Sequence, residues 1–132
     1  MRTSAALNPR RGEIWLVQFN PRTGSEMGNP HPALVLSRDD VGTLPLRVVV
    51  PITSWQPRFA TVPWMIEIAP SATNGLTNRS VADCFQPRSF DLSRFLTRWG
   101  QLDSITTERA AQTVAEVLGV ALSRESDASQ TA

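Results

Sequence analysis

Five short stretches rich in β-branched and aromatic residues, each closed by Gly, Pro, Asn or Asp, come before a single helical stripe. That order constrains the fold more than any other feature of the chain. The stretches run over 13–19, 32–37, 46–53, 63–68 and 80–85, and a last strand is expected through 96–102. After them, Val114, Val117, Leu118, Ala121 and Leu122 recur at helical spacing and put one apolar face on a helix, with Ser104 or Asp103 as its N-cap. Gly119 falls inside this stripe, at a cost of about 1 kcal/mol relative to Ala. Five or six strands followed by one helix predict an α+β chain that is mainly β: a strongly bent, SH3-like partial barrel with a C-terminal α-helix.

The 132 residues fit one domain. Residues 1–10 and 123–132 lack periodic apolar positions and are expected to be disordered ends around a folded unit over 11–122. The single Cys, Cys84, excludes an internal disulfide. Together with His31, the only His, it is too few soft ligands for a Cys/His zinc site, so neither metal nor cofactor is expected. All 13 basic residues are Arg, which excludes P-loop phosphate binding, Schiff-base chemistry and a kinase-type Lys–Glu pair. No G-x-G or G-x-S-x-G occurs. A net charge of +1 is far from the basic footprint of a duplex-DNA binder, although local Arg clusters suit a short single strand. With no long apolar run and no signal-peptide core, the chain reads as a cytoplasmic protein that does not enter a membrane.

The chemistry is expected beside the polar loop from Arg22 to Pro32. His31 precedes Pro32 and is therefore pushed towards extended backbone at the mouth of the second strand. If 32–37 and 47–53 form a hairpin about Gly42, paired positions sum to about 84, and His31 faces Thr53 with Cβ atoms roughly 4.5–5.5 Å apart. An imidazole suits proton transfer near neutrality, and a neighbouring hydroxyl can donate to a developing anion. Glu26 is placed to orient that imidazole. The blander readings are a solvated loop His, a solvated acid and an ordinary strand-end Thr. Trp15 and Trp99 read as core or interface, whereas Trp55 either stacks on an unpaired base or folds over the barrel end. Arg88, Arg94 and Arg98 flank the last strands, as phosphate ligands or as plain surface charges.

The segments 11–21, Gly24-Ser-Glu26, 31–37, 48–54 and Gln86-Pro-Arg-Ser-Phe-Asp91, in this order and spacing, resemble the MazF/PemK family of toxin endoribonucleases. The resemblance covers about 11–122. It implies a homodimer that cuts single-stranded RNA without metal, leaving 2′,3′-cyclic phosphate and 5′-hydroxyl ends, and a cognate MazE/PemI-like antitoxin that binds operator DNA together with the toxin. Thr53 matches the catalytic Thr of the MazF branch, but His31 stands where that branch usually has Arg. The PemK branch has a His where this chain has Ser25, and an Arg-Cys-Asp run where it reads Asp83-Cys84-Phe85. The expected catalytic set is therefore His31, Thr53 and Glu26. Arg88, Gln86, Trp55, Ser54 and Arg22 are the expected substrate-binding set. Two other readings stay open: a toxin that poisons gyrase from a similar fold, and a nuclease-dead module that binds an antitoxin or nucleic acid.

Overall fold

The computed structural model describes residues 7–121. It contains β1 (Glu13–Gln18), β2 (Pro30–Val35), β3 (Leu46–Ser54), β4 (Met65–Ile68), β5 (Ser80–Asp83), β6 (Arg88–Asp91), β7 (Phe95–Gln101) and α1 (Ser104–Val117). The strands form one antiparallel sheet in the order β4-β5-β3-β2-β1-β7, with β6 also paired to β3. Among the described residues nothing joins β4 to β7, so the barrel is open. β3 makes the bend: along one edge its first half pairs with β6 and its second half with β5.

The central strands are apolar at consecutive positions because both of their faces are covered. Ile14, Leu34, Val50 and Ile52 join one buried cluster, onto which α1 lays Ala110, Ala111 and Val114. Their sequence neighbours Trp15, Val17, Ala33, Val35 and Val49 join a second cluster on the opposite face, completed by Phe19, Phe90 and Phe95. Runs such as Val49–Ile52 therefore lack the hydrophobic–polar alternation of a one-sided sheet.

The helix begins at Asp103, whose carboxylate accepts from the Thr106 backbone N–H at 2.8 Å, as expected of an N-cap. It ends earlier than the apolar stripe suggests. Gly119 lies outside the helix at φ +85°, Val120 N–H reaches the Ala115 carbonyl and Gly119 N–H reaches that of Glu116, the paired bonds of a Schellman stop. Ala121 lies beyond the helix, and Leu122 is outside the described residues.

Two further expectations are corrected. β6 is a separate strand, and 80–85 breaks after Asp83, whose carboxylate captures the Phe85 N–H in a turn. Residues 8–10 are not a loose end. Pro9 is fully buried, and the buried Arg47 guanidinium donates to the carbonyls of Pro9, Leu44 and Leu46 and to Asn8 Oδ1. A cation held by neutral oxygens ties the N-terminal segment to the β2–β3 turn.

Candidate active site

β2 and β3 pair as Ala33 with Pro51, Leu34 with Val50 and Val35 with Val49, every pair summing to the expected 84. Continued by two residues, the register sets His31 across from Thr53. Both side chains line a cavity of 220 Å³ that is also bordered by Ser54, Asn78 and Trp99. The His31 ring meets the buried Phe19 edge-on, with centroids 6.5 Å apart. Partial burial holds its pKa below the usual 6.5, against the opposing pull of a hydrogen bond to the Ile52 backbone. The shift favours the unprotonated imidazole, the form a general base requires.

A second cavity, of 420 Å³, lies on the loop side of His31 and is lined by Arg22, Glu26 and Gln86 among others. The loop that forms it is held at three places. At its neck, Asn20 and Asn29 exchange hydrogen bonds, Asn29 taking φ 63°. At its shoulder, Arg94 donates to the carbonyls of Gln18 and Asn20. At its tip, Gln86 accepts from Met27 N–H at 2.9 Å and donates to Asp83 at 2.7 Å. Glu26 accepts from the Thr23 N–H and so closes its own turn, while still bordering the cavity that His31 borders.

The structure thus brings together His31 with Thr53 and Ser54 on one side, and with Arg22, Glu26 and Gln86 on the other. Arg88 borders neither cavity; its guanidinium lies over Phe90. Trp55 also stands apart, one face covered by the Arg79 guanidinium at 3.8 Å, itself paired with Glu67. The aromatic residue in the His31–Thr53 cavity is Trp99, which the sequence reading assigns to core or interface. Its signal was the adjoining Gly100, on which a Cβ would collide with the Thr73–Asn74 backbone. A glycine in a strand marks such a close crossing.

Among the described residues no three His, Cys, Asp or Glu side chains gather as a metal site, and no helix is long and apolar enough to cross a membrane. The Cys84 thiol is buried and its pKa is pushed up to about 12, mainly by desolvation, which makes it a poor nucleophile.

Comparison with known proteins agrees with this architecture. The chain is 35% identical over 102 residues to the endoribonuclease MazF9 of Mycobacterium tuberculosis, covering 72% of this chain and 83% of the relative. It is 34% identical over 113 residues to the endoribonuclease PemK of Escherichia coli, covering 83% and 76%. A crystal structure of MazF from Deinococcus radiodurans superposes with a TM-score of 0.71 at 25% identity, covering 85% of this chain and 97% of that one. Residues 10–118 match the family model described as PemK-like, MazF-like toxin of type II toxin–antitoxin system. An open antiparallel sheet capped by one C-terminal helix, with a match spanning nearly all of the described residues, shows that the chain belongs to the PemK/MazF toxin family.

Proposed function

We propose that this chain is the toxin of a toxin–antitoxin pair and acts as a sequence-specific, metal-independent endoribonuclease on single-stranded RNA, with messenger RNA as its target. The observation that carries the reading is a half-buried imidazole on β2, its pKa lowered by burial, sharing a cavity with the Thr53 hydroxyl on the neighbouring strand. His31 takes the proton from a ribose 2′-hydroxyl as that oxygen attacks the adjacent phosphorus. The P–O5′ bond breaks and the leaving 5′-oxygen takes up a proton, giving a 2′,3′-cyclic phosphate and a 5′-hydroxyl. Thr53 donates to a phosphoryl oxygen as negative charge builds on the phosphorane, and Ser54 stands beside it. Arg22 is the cation on the loop side of His31 and holds a flanking phosphate.

Because the nucleophile is the substrate's own 2′-hydroxyl, DNA is not cut. Gln86, whose amide is engaged at both ends, positions the loop rather than gripping RNA. Arg88 acts from outside the cavity, by steadying Phe90 and the core beneath His31. The protein works in the cytoplasm as a homodimer, its cleavage halting translation and growth until a cognate antitoxin covers the site. Operator DNA is bound only together with that antitoxin.

The test incubates a long unstructured RNA in excess EDTA with the protein and with His31→Ala, mapping cut sites and end chemistry. Cuts at one sequence with cyclic-phosphate ends, reduced about 10²–10⁴-fold in the variant, are expected. Undiminished cutting by the variant moves the proton transfer elsewhere. No cutting at all refutes the nuclease, and binding of gyrase or an antitoxin is then the activity to seek.

A further inference from the structure

The cavities beside His31 continue into a third. Ser25, Glu26 and Gln86 border both the loop-side cavity and a neighbouring one, also of 420 Å³, whose other walls are Trp64, Asp83 and Phe85. His31 in turn is common to the loop-side cavity and the one containing Thr53 and Trp99. The three form one track with an aromatic station at each end and the imidazole between them.

Both stations present aromatic surface to solvent. Phe85 is 55% exposed, its ring 4.9 Å from that of Trp64 and tilted by 58°, while Trp99 is 39% exposed. Neither is loosely held. A Cβ on Gly75 would strike the Trp99 backbone, and Asn74, buried beneath, accepts from Ser71 N–H and Leu76 N–H and donates to the Ala69 carbonyl. The Phe85 backbone is held by its N–H bond to Asp83, which also receives Gln86, and its ring rests against Trp64. Rings carried on a backbone held in advance lose less freedom when a flat partner lies on them. Hydrogen-bonding side chains lie beside both, Asn78 near Trp99 and Ser25 near Phe85.

We propose that Trp99 and the Phe85–Trp64 pair are two base-stacking stations that hold the unpaired nucleotides on either side of the one cut at His31. The inference rests on the ribonuclease reading and adds the residues that fix the substrate's register. Aromatic rings along a groove with one cation in its middle, Arg22, suit a flexible single strand, since every base offers a π-face. A duplex, its bases stacked on one another, has none to offer. Asn78, with donor and acceptor on one amide, reads the edge of the base on Trp99 and so contributes to sequence choice.

The test measures binding of a short mixed-sequence oligoribonucleotide that is 2′-O-methylated throughout and cannot be cut, alongside cleavage of unmodified RNA. Phe85→Ala and Trp99→Leu should each weaken binding roughly 5- to 150-fold, the range of one lost base stack. Trp99→Phe should keep most of the affinity. The slope of log affinity against log salt should stay as in the parent, since no phosphate contact is lost, whereas Arg22→Gln should flatten it. Parent-like binding by Phe85→Ala and Trp99→Leu, with the parent cutting RNA, overturns the stations and leaves the nuclease standing. Loss of antitoxin binding alone also overturns them and makes the rings a protein contact. A parent that neither binds nor cuts RNA takes down both readings.

Discussion

Replacing Gln86 by Met keeps the length of the side chain and removes both of its hydrogen bonds, so the tip of the 20–29 loop loses its tie to the turn at Asp83. A neutral bond to a backbone N–H contributes about 1 kcal/mol and one to a carboxylate about 1.5–3 kcal/mol. Gln86 is half-buried, and water replaces part of what is lost, so a net cost of about 2 kcal/mol is expected for loop closure. That raises the open population roughly 30-fold, at 1.36 kcal/mol per tenfold. The direct assay is hydrogen exchange at the Met27 amide, the donor in the lost bond. Its protection should fall about 30-fold while the amides of Leu34 and Val50, deep in the sheet, exchange as before. RNA cleavage should weaken mainly through KM, because His31 and Thr53 sit on strands the change does not touch. Gln86→Glu keeps an acceptor for the Met27 N–H but loses the bond to Asp83 and faces it with a like charge, so it should open the loop through that side alone. Unchanged Met27 protection in both variants would refute the clamp, and a matching loss across the whole sheet would show that Gln86 supports the global fold instead.

Burial lowers the His31 pKa, so cleavage limited by a general base should rise with pH through an inflection below 6.5 and level off above it, as a pH profile of kcat/KM will read. A profile falling through that inflection would make His31 the acid. The same shift makes the unfolded chain bind more protons than the folded one between the lowered value and 6.5. Stability should therefore increase with pH across that window, and His31→Gln should flatten the increase in urea titrations. Arg47→Met strands the buried carbonyl of Pro9 and unpairs the half-buried ones of Leu44 and Leu46, and should cost about 2 kcal/mol by urea denaturation. A loss below about 1 kcal/mol would show that water replaces the guanidinium.

The β2–β3 register was legible because the Gly42 turn and the apolar runs on either side leave one way to bury Leu34 and Val50 together. Asp103 was legible as a cap because its bond is local. Features that depend on distant parts of the chain were not. Nothing near Arg47 in sequence announces that Pro9 will supply an acceptor, and an Arg flanked by Leu and Val reads as a solvent-facing strand position. β6 has four residues, two of them charged and one polar, and becomes a strand only because β3 offers it an edge. The sequence favours Trp55 over Trp99 as the ring beside the site because what separates them lies far away in the chain: Arg79, which covers one ring, and Gly75, which lets a loop press on the backbone of the other. Gly119 was misplaced because an apolar stripe continues through it, whereas its positive φ is a property of the folded chain end.

The pairing of β1 with β7 joins the first and last strands of the sheet, Glu13 beside Gln101. During synthesis, His31 and Thr53 leave the ribosome early, but Trp99 and the strand that covers the open edge of β1 come near the end. Contacts so far apart in the chain form late and slowly. A nascent chain therefore carries His31 and Thr53 long before the cavity they line has its Trp99 wall. A fragment that stops short of β7 therefore lacks Trp99 in that cavity and leaves this edge of β1 unpaired.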